Sequence, residues 1–213
     1  MADPRVSRAL EVHVGGPSDA DDPAFYFDFT SPDAYMAAER VLALMPVPAE
    51  WVPVRAGGLG CGTQLALSDE ARERIGAIGE QRAMQRFVWP DPFPFDGDLA
   101  LRAATYAKGI GRVVAFSLAA FRQCYAAGRA LDKIDNVVIA ASGCEMHPAA
   151  VIKGCELKST RAALDRATQL AVARGVHSVP AVYVPARGGA IAQVFHGDDE
   201  LEAATALLAQ AAA

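Results

Sequence analysis

Four cysteines and four histidines are the residues of this 213-residue chain best suited to redox or metal chemistry. Their spacing argues against both. Cys61, Cys124, Cys144 and Cys155 form no C-x-x-C pair, which a redox dithiol or a zinc knuckle needs. Cys144 and Cys155, eleven residues apart, match no metal-site spacing, and the cysteines read as buried free thiols. His13, His147, His177 and His196 are scattered with no H-x-x-x-H or H-E-x-x-H, so no metal site is expected. Thr30-Ser31-Pro32-Asp33 has a different character. Ser31 suits a helix N-cap, Pro32 the first helical position, and Asp33 complements the helix dipole.

The elements that must position these residues follow from pattern. Residues 1–23 end in Gly15, Gly16, Pro17, Asp19, Asp21, Asp22 and Pro23 and are expected to be a flexible leader. Ala24 to Phe29 is short and almost wholly apolar, as a strand covered on both faces requires. The helix opened by Ser31 should run to about Met45, stopped by Pro46 and Pro48, and Glu50 to Arg55 should be a second strand. From Ser68 to Gly175 the pattern is helical, with helices expected at 68–87, 98–108, 112–127, 133–142 and 158–174. Strands return at 180–184 and 190–195, and Asp198 should cap a last helix. The order is β-α-β, a long helical block, then α-β-β-α. It divides the chain into a leader (1–23), a two-part sheet domain (24–67 and 176–213) and an inserted helical domain (68–175).

Composition narrows the function classes. At 52% hydrophobic and 21% charged the chain must fold around a core, which excludes disorder. A net charge of −5 argues against a nucleic-acid or anionic-membrane partner. No apolar stretch approaches the ~20 residues of a membrane span, and Met1 to Val14 lacks the apolar run of a signal peptide. A soluble, cytoplasmic protein is the expectation.

Three motifs carry a resemblance. Phe25-Tyr26-Phe27-Asp28-Phe29-Thr30-Ser31-Pro32-Asp33-Ala34-Tyr35 resembles the F-Y-F-D-F-x-S-P-Y-S stretch of 2-hydroxychromene-2-carboxylate isomerases and kappa-class glutathione transferases. Gly175-Val176-His177-Ser178-Val179-Pro180-Ala181-Val182 is similar to their G-V-x-G-V-P-T-F, and Phe195-His196-Gly197-Asp198-Asp199-Glu200-Leu201 to their F-W-G-x-D-R-L. The three lie in the family order. The resemblance implies an α/β thioredoxin-like fold with a helical insertion, of the DsbA-like kind, and a homodimer in keeping with it.

What it implies for function begins at Ser31, which stands where DsbA-like oxidoreductases place a nucleophilic cysteine, with Ala34 at the second cysteine position. Serine and alanine cannot exchange disulfides. The position retains backbone N–H groups and the positive end of a helix dipole, which favour an anion. In this resemblance the anion is the thiolate of glutathione, or of another low-molecular-weight thiol, and the Ser31 hydroxyl donates to it; otherwise Ser31 is only a cap. Val179 and Pro180, at the fold's cis-proline position, would pair their backbone with the thiol's cysteinyl part, as an added strand does. Asp198 and Asp199 stand where the family binds the γ-glutamyl group. His196 replaces Trp, Glu200 replaces Arg, and Asp198 replaces a neutral residue, so the acidic cluster should repel a carboxylate unless an arginine offsets it. Tyr26, Tyr35, Trp51, Phe87, Trp89, Phe93 and Phe95 either form core or line a pocket for an aromatic substrate, with the Trp89–Phe95 loop as its wall. The reaction implied is glutathione-dependent isomerisation or transfer on an aromatic or unsaturated carbonyl compound. The alternatives are an oxidoreductase relative without C-x-x-C and a non-catalytic thioredoxin-fold binding protein.

Overall fold

The computed structural model describes residues 22–60, 67–187 and 189–212. Cys61 and nearly all of the expected leader lie outside them. The elements are β1 (Ala24–Phe27), α1 (Pro32–Leu44), β2 (Glu50–Pro53), α2 (Asp69–Gln81), α3 (Asp98–Gly109), α4 (Val113–Tyr125), α5 (Ile134–Ser142), α6 (Pro148–Glu156), α7 (Lys158–Ala173), β3 (Ala181–Val184), β4 (Gln193–His196) and α8 (Leu201–Ala212). The strands form one sheet in the order β2-β1-β3-β4, with β1 parallel to β2 and antiparallel to β3, and β3 antiparallel to β4. No helix among the described residues is long and apolar enough to cross a membrane.

β1 is buried along its whole length because both its faces are covered. Phe25 and Phe27 point to one side, with Trp51 and Val182, into a cluster shared with α1, α4 and α8; Ala24 and Tyr26 point to the other, with Val52, Ala181 and Ala171 of α7. Aromatic contacts extend the first cluster into the helical block: Phe29 lies 4.8 Å from Phe121 and 6.2 Å from Phe116, centroid to centroid. Tyr26, Tyr35 and Trp51 are therefore core residues, with Trp51 also bordering a small cavity against Val41, Met45 and Pro48.

Two helices depart from expectation. α2 ends at Gln81, not near Phe87. The chain reverses at Ala83, in a left-handed conformation (φ 54°), and Phe87 then packs against Gly79. Phe87 and Trp89 gain more by meeting Tyr35 and Tyr125 than by extending a helix into solvent. α6 is a helix that sequence reading left unassigned. Pro148 starts it and His147 Nδ1 accepts from the Ala149 N–H at 3.2 Å. The strands are also shorter: β2 stops at Pro53 and β4 begins only at Gln193.

Gly154, inside α6, carries the face of the Tyr106 ring. A Cβ there would sit 2.4 Å from Tyr106 Cγ. Gly154→Ala gains helix propensity but must displace the ring, so it should destabilise the protein by about 1–3 kcal/mol in urea unfolding.

Candidate functional site

The site is built on the turn between β1 and α1. Asp28 leaves the strand with its carboxylate turned inward and 5% exposed. Its Oδ1 accepts from the Thr30 N–H and the Thr30 hydroxyl, both at 3.0 Å, and its Oδ2 from the Ala56 N–H at 2.8 Å. Burial pushes the Asp28 carboxyl above the usual range, the three donors pull it back, and the charge of Asp96 adds to the rise. Thus Asp28 ties the Thr30 turn to the loop after β2. Sequence reading gave it no role; a lone carboxylate in an otherwise aromatic strand was the available signal.

Ser31 is the N-cap of α1, with extended backbone (φ −95°, ψ 113°), followed by Pro32 at the first helical position. Its Oγ accepts from the Ala34 N–H at 3.1 Å and donates to the Val179 carbonyl at 3.4 Å. It is 4% exposed. Two segments 148 residues apart in sequence therefore meet at one hydroxyl. The Val179–Pro180 peptide is cis, and the Gly197 N–H donates to the Pro180 carbonyl at 2.9 Å. The Val179 N–H has no partner among the described residues. Ser31, Val179 and Pro180 are thus brought together.

Asp198 lies nearby but is not free. Its side chain is 6% exposed, with Oδ1 3.0 Å from Arg40 Nη1 and Oδ2 bonded to Arg82 Nη1. Arg40 also donates to the Asp198 carbonyl at 3.0 Å and pairs with Glu202. The acidic cluster is therefore offset by two guanidinium groups, one from α1 and one from just past α2. Asp199 and Glu200 remain exposed. Gly197 adopts a left-handed backbone (φ 95°), which strains any residue with a Cβ. The Asp33 carboxyl is pushed up by desolvation and then by the charges of Asp198 and Asp199, against Arg74 and Arg82.

A cavity of about 400 Å³ opens beside the turn, lined among others by Asp28, Thr30, Pro94, Phe95 and Leu101. Arg55, the one cation among its described lining residues, is committed to Asp98 at 2.8 Å and to Asp165. Of the aromatic residues nominated from sequence, Phe95 reaches this cavity; Trp89 and Phe93 instead carry the guanidinium of Arg72, 5.3 and 5.4 Å from their ring centres.

The described cysteines offer the site no thiol. Cys124, Cys144 and Cys155 are buried and unpaired. Burial pushes the Cys155 thiol up to about 11 and that of Cys124 higher still. No group of three His, Cys, Asp or Glu among the described residues could hold a metal ion.

Known structures share this architecture. A 2-hydroxychromene-2-carboxylate isomerase superposes with TM-score 0.74 at 16% identity, covering 88% of this chain and 94% of its own. A probable DsbA oxidoreductase from Streptomyces coelicolor gives TM-score 0.69 at 19% identity, with 89% of each chain covered. The cytosolic disulfide reductase DsbM from Pseudomonas aeruginosa, solved with GSH, gives 0.62 at 17%, covering 89% of this chain and 98% of its own. No family model and no curated protein matches the sequence. The fold is therefore the DsbA-like thioredoxin fold that these structures share.

Proposed function

We propose that the protein is a glutathione-dependent isomerase or transferase acting on an aromatic or unsaturated carbonyl compound. The observation that carries this reading is the Ser31 hydroxyl at the N-terminus of α1, 3.4 Å from the Val179 carbonyl, with no thiol at position 34. The residues present fit a glutathione-like thiol: the open Val179 N–H and its weakly engaged carbonyl offer a backbone edge to an extended peptide.

Bound glutathione would supply a thiolate that adds reversibly to a conjugated system. The chain's own part is positional and electrostatic. The first turn of α1 directs N–H groups and the positive end of the helix toward the sulfur. Ser31 gives up Val179 when a ligand N–H takes that carbonyl, and its proton then turns to the sulfur, favouring the ionised form. Asp199, exposed beside the Arg40–Asp198–Arg82 cluster, pairs with the ligand's ammonium group. The cavity beside Thr30 receives the apolar body of the carbonyl substrate against Phe95, Pro94 and Leu101. The same reading brings with it a cytoplasmic setting and a homodimer as proposals.

One observation favours a second reading, a binding protein that lost the chemistry: the Ser31 hydroxyl is nearly buried and already engaged. Turnover separates the two. Incubation with 2-hydroxychromene-2-carboxylate and other conjugated carbonyls should give isomerisation or conjugation only when glutathione is added. Thiol binding without turnover of any such compound would favour the binding protein.

A further inference from the structure

β4 ends at His196, and the two residues His196 and Gly197 hold the Val179 segment from both sides. Gly197 N–H donates to the Pro180 carbonyl at 2.9 Å. On the other side, the His177 N–H donates to His196 Nε2 at 3.2 Å, and the two imidazoles stack with centroids 3.7 Å apart and planes 19° from parallel. Val179 lies between these anchors. Beyond His177, Val176 is buried, and its N–H is bonded to the Ala171 carbonyl at 2.9 Å, so the segment starts from a fixed point in the core.

We propose that His196 is a positioning residue for the Val179 backbone, through a hydrogen bond that lasts only while its Nε2 is unprotonated. The accepting geometry requires the ring proton on Nδ1. A proton on Nε2 sets donor against donor and places a cation face to face with the His177 ring. The segment then loses its anchor at His177, and the Val179 N–H and carbonyl are held less firmly against Ser31.

The surroundings leave His177 as the charge that bears on His196. Both burial and His177 hold the His196 imidazolium below its ordinary range. Of the charged groups on neighbouring elements, Asp198 is held by Arg40 and Arg82, and Glu202 of α8 by Arg40. Arg174 at the end of α7 is held by the Tyr26 hydroxyl and the Tyr183 ring of β3. Asp199 and Glu200 follow on the same chain and are exposed to solvent. Because the folded value is lowered, the anchor is intact at and above an imidazole's usual ~6.5 and is lost only as pH falls through the lowered value.

The functional consequence rests on the thiol-site reading above; the anchor itself does not. The test follows the His177 and Val179 amide signals of the ligand-free protein by NMR from pH 7.5 to 5.5. Both should shift in one titration in the native protein. In His196→Gln, whose amide oxygen accepts but does not titrate, the Val179 shift should vanish, and the His177 amide should keep only the shift due to its own ring. His196→Ala should show the low-pH signal at every pH. Signals at His177 and Val179 that move identically in native protein and His196→Gln would overturn the proposal. In parallel, S-methylglutathione, whose sulfur cannot ionise, should bind the native protein about three- to tenfold more weakly at pH 5.5 than at 7.5, and His196→Gln equally at both. No binding at pH 7.5 by any form, with the amide titration as expected, would refute the thiol site and leave the anchor standing.

Discussion

Asp28→Ala should be the most damaging single substitution around the site, lowering stability by about 2–4 kcal/mol in urea or thermal unfolding. Among the described residues the carboxylate is the only acceptor for the Thr30 and Ala56 N–H groups, and each buried donor left without a partner costs about 1–3 kcal/mol. Relief from burying a charge returns part of that loss. The same residue sets a pH dependence. Its folded-state carboxyl is held above the unfolded one, so the folded protein binds the proton more tightly. Stability should therefore fall as pH rises from about 4 through the raised value, and then level off. Asp28→Asn should lack that slope. A stability change below about 0.5 kcal/mol for Asp28→Ala would mean that the Thr30 turn does not depend on this carboxylate.

The second large effect belongs to Asp198. Removing a nearly buried carboxylate from between Arg40 and Arg82 leaves Arg82 without its carboxylate, while Arg40 keeps Glu202 and the Asp198 carbonyl. Complete burial would make that cost about 3–5 kcal/mol. Here Arg40 and Arg82 are 19% and 28% exposed and can recover water, so about 2–3 kcal/mol is expected for Asp198→Ser. Binding should move the other way. With the anion gone, the two arginines face the γ-glutamyl region, and calorimetry should give tighter binding of glutathione than the native protein shows. The double variant Asp198→Ser with Arg82→Gln should be less destabilised than the sum of the single changes, since the two residues share one contact. Strict additivity would show that the ion pair seen in the structure does not persist in solution.

Much of this fold is legible in local sequence. The apolar run Ala24–Phe27 makes a strand covered on both faces, Ser31 and Pro32 fix where α1 begins, and Gly175 marks the end of α7. Ser31, Val179 and Pro180 also come together as the motif order implied. Other features had no local signature. Arg40 and Arg82 reach Asp198 across 158 and 116 residues, so no short-range pattern could show that the acidic cluster is neutralised. α2 stops early because Phe87 and Trp89 find distant aromatic partners, a tertiary effect that overrides helix propensity. The backbone bond from His177 to His196 joins a loop to a strand end, and scanning histidines for metal spacing could not reveal it.

The most direct test of the account is the ionisation of a bound thiol. Glutathione titrated into the protein near neutral pH should give thiolate absorbance in the ultraviolet, well above that of free glutathione, whose thiol is largely protonated there. Ser31→Ala should remove most of that absorbance while costing only about 1 kcal/mol of stability, the loss of a helix cap. Equal thiolate absorbance in native protein and Ser31→Ala, or none in either at saturating glutathione, would contradict the role assigned to Ser31.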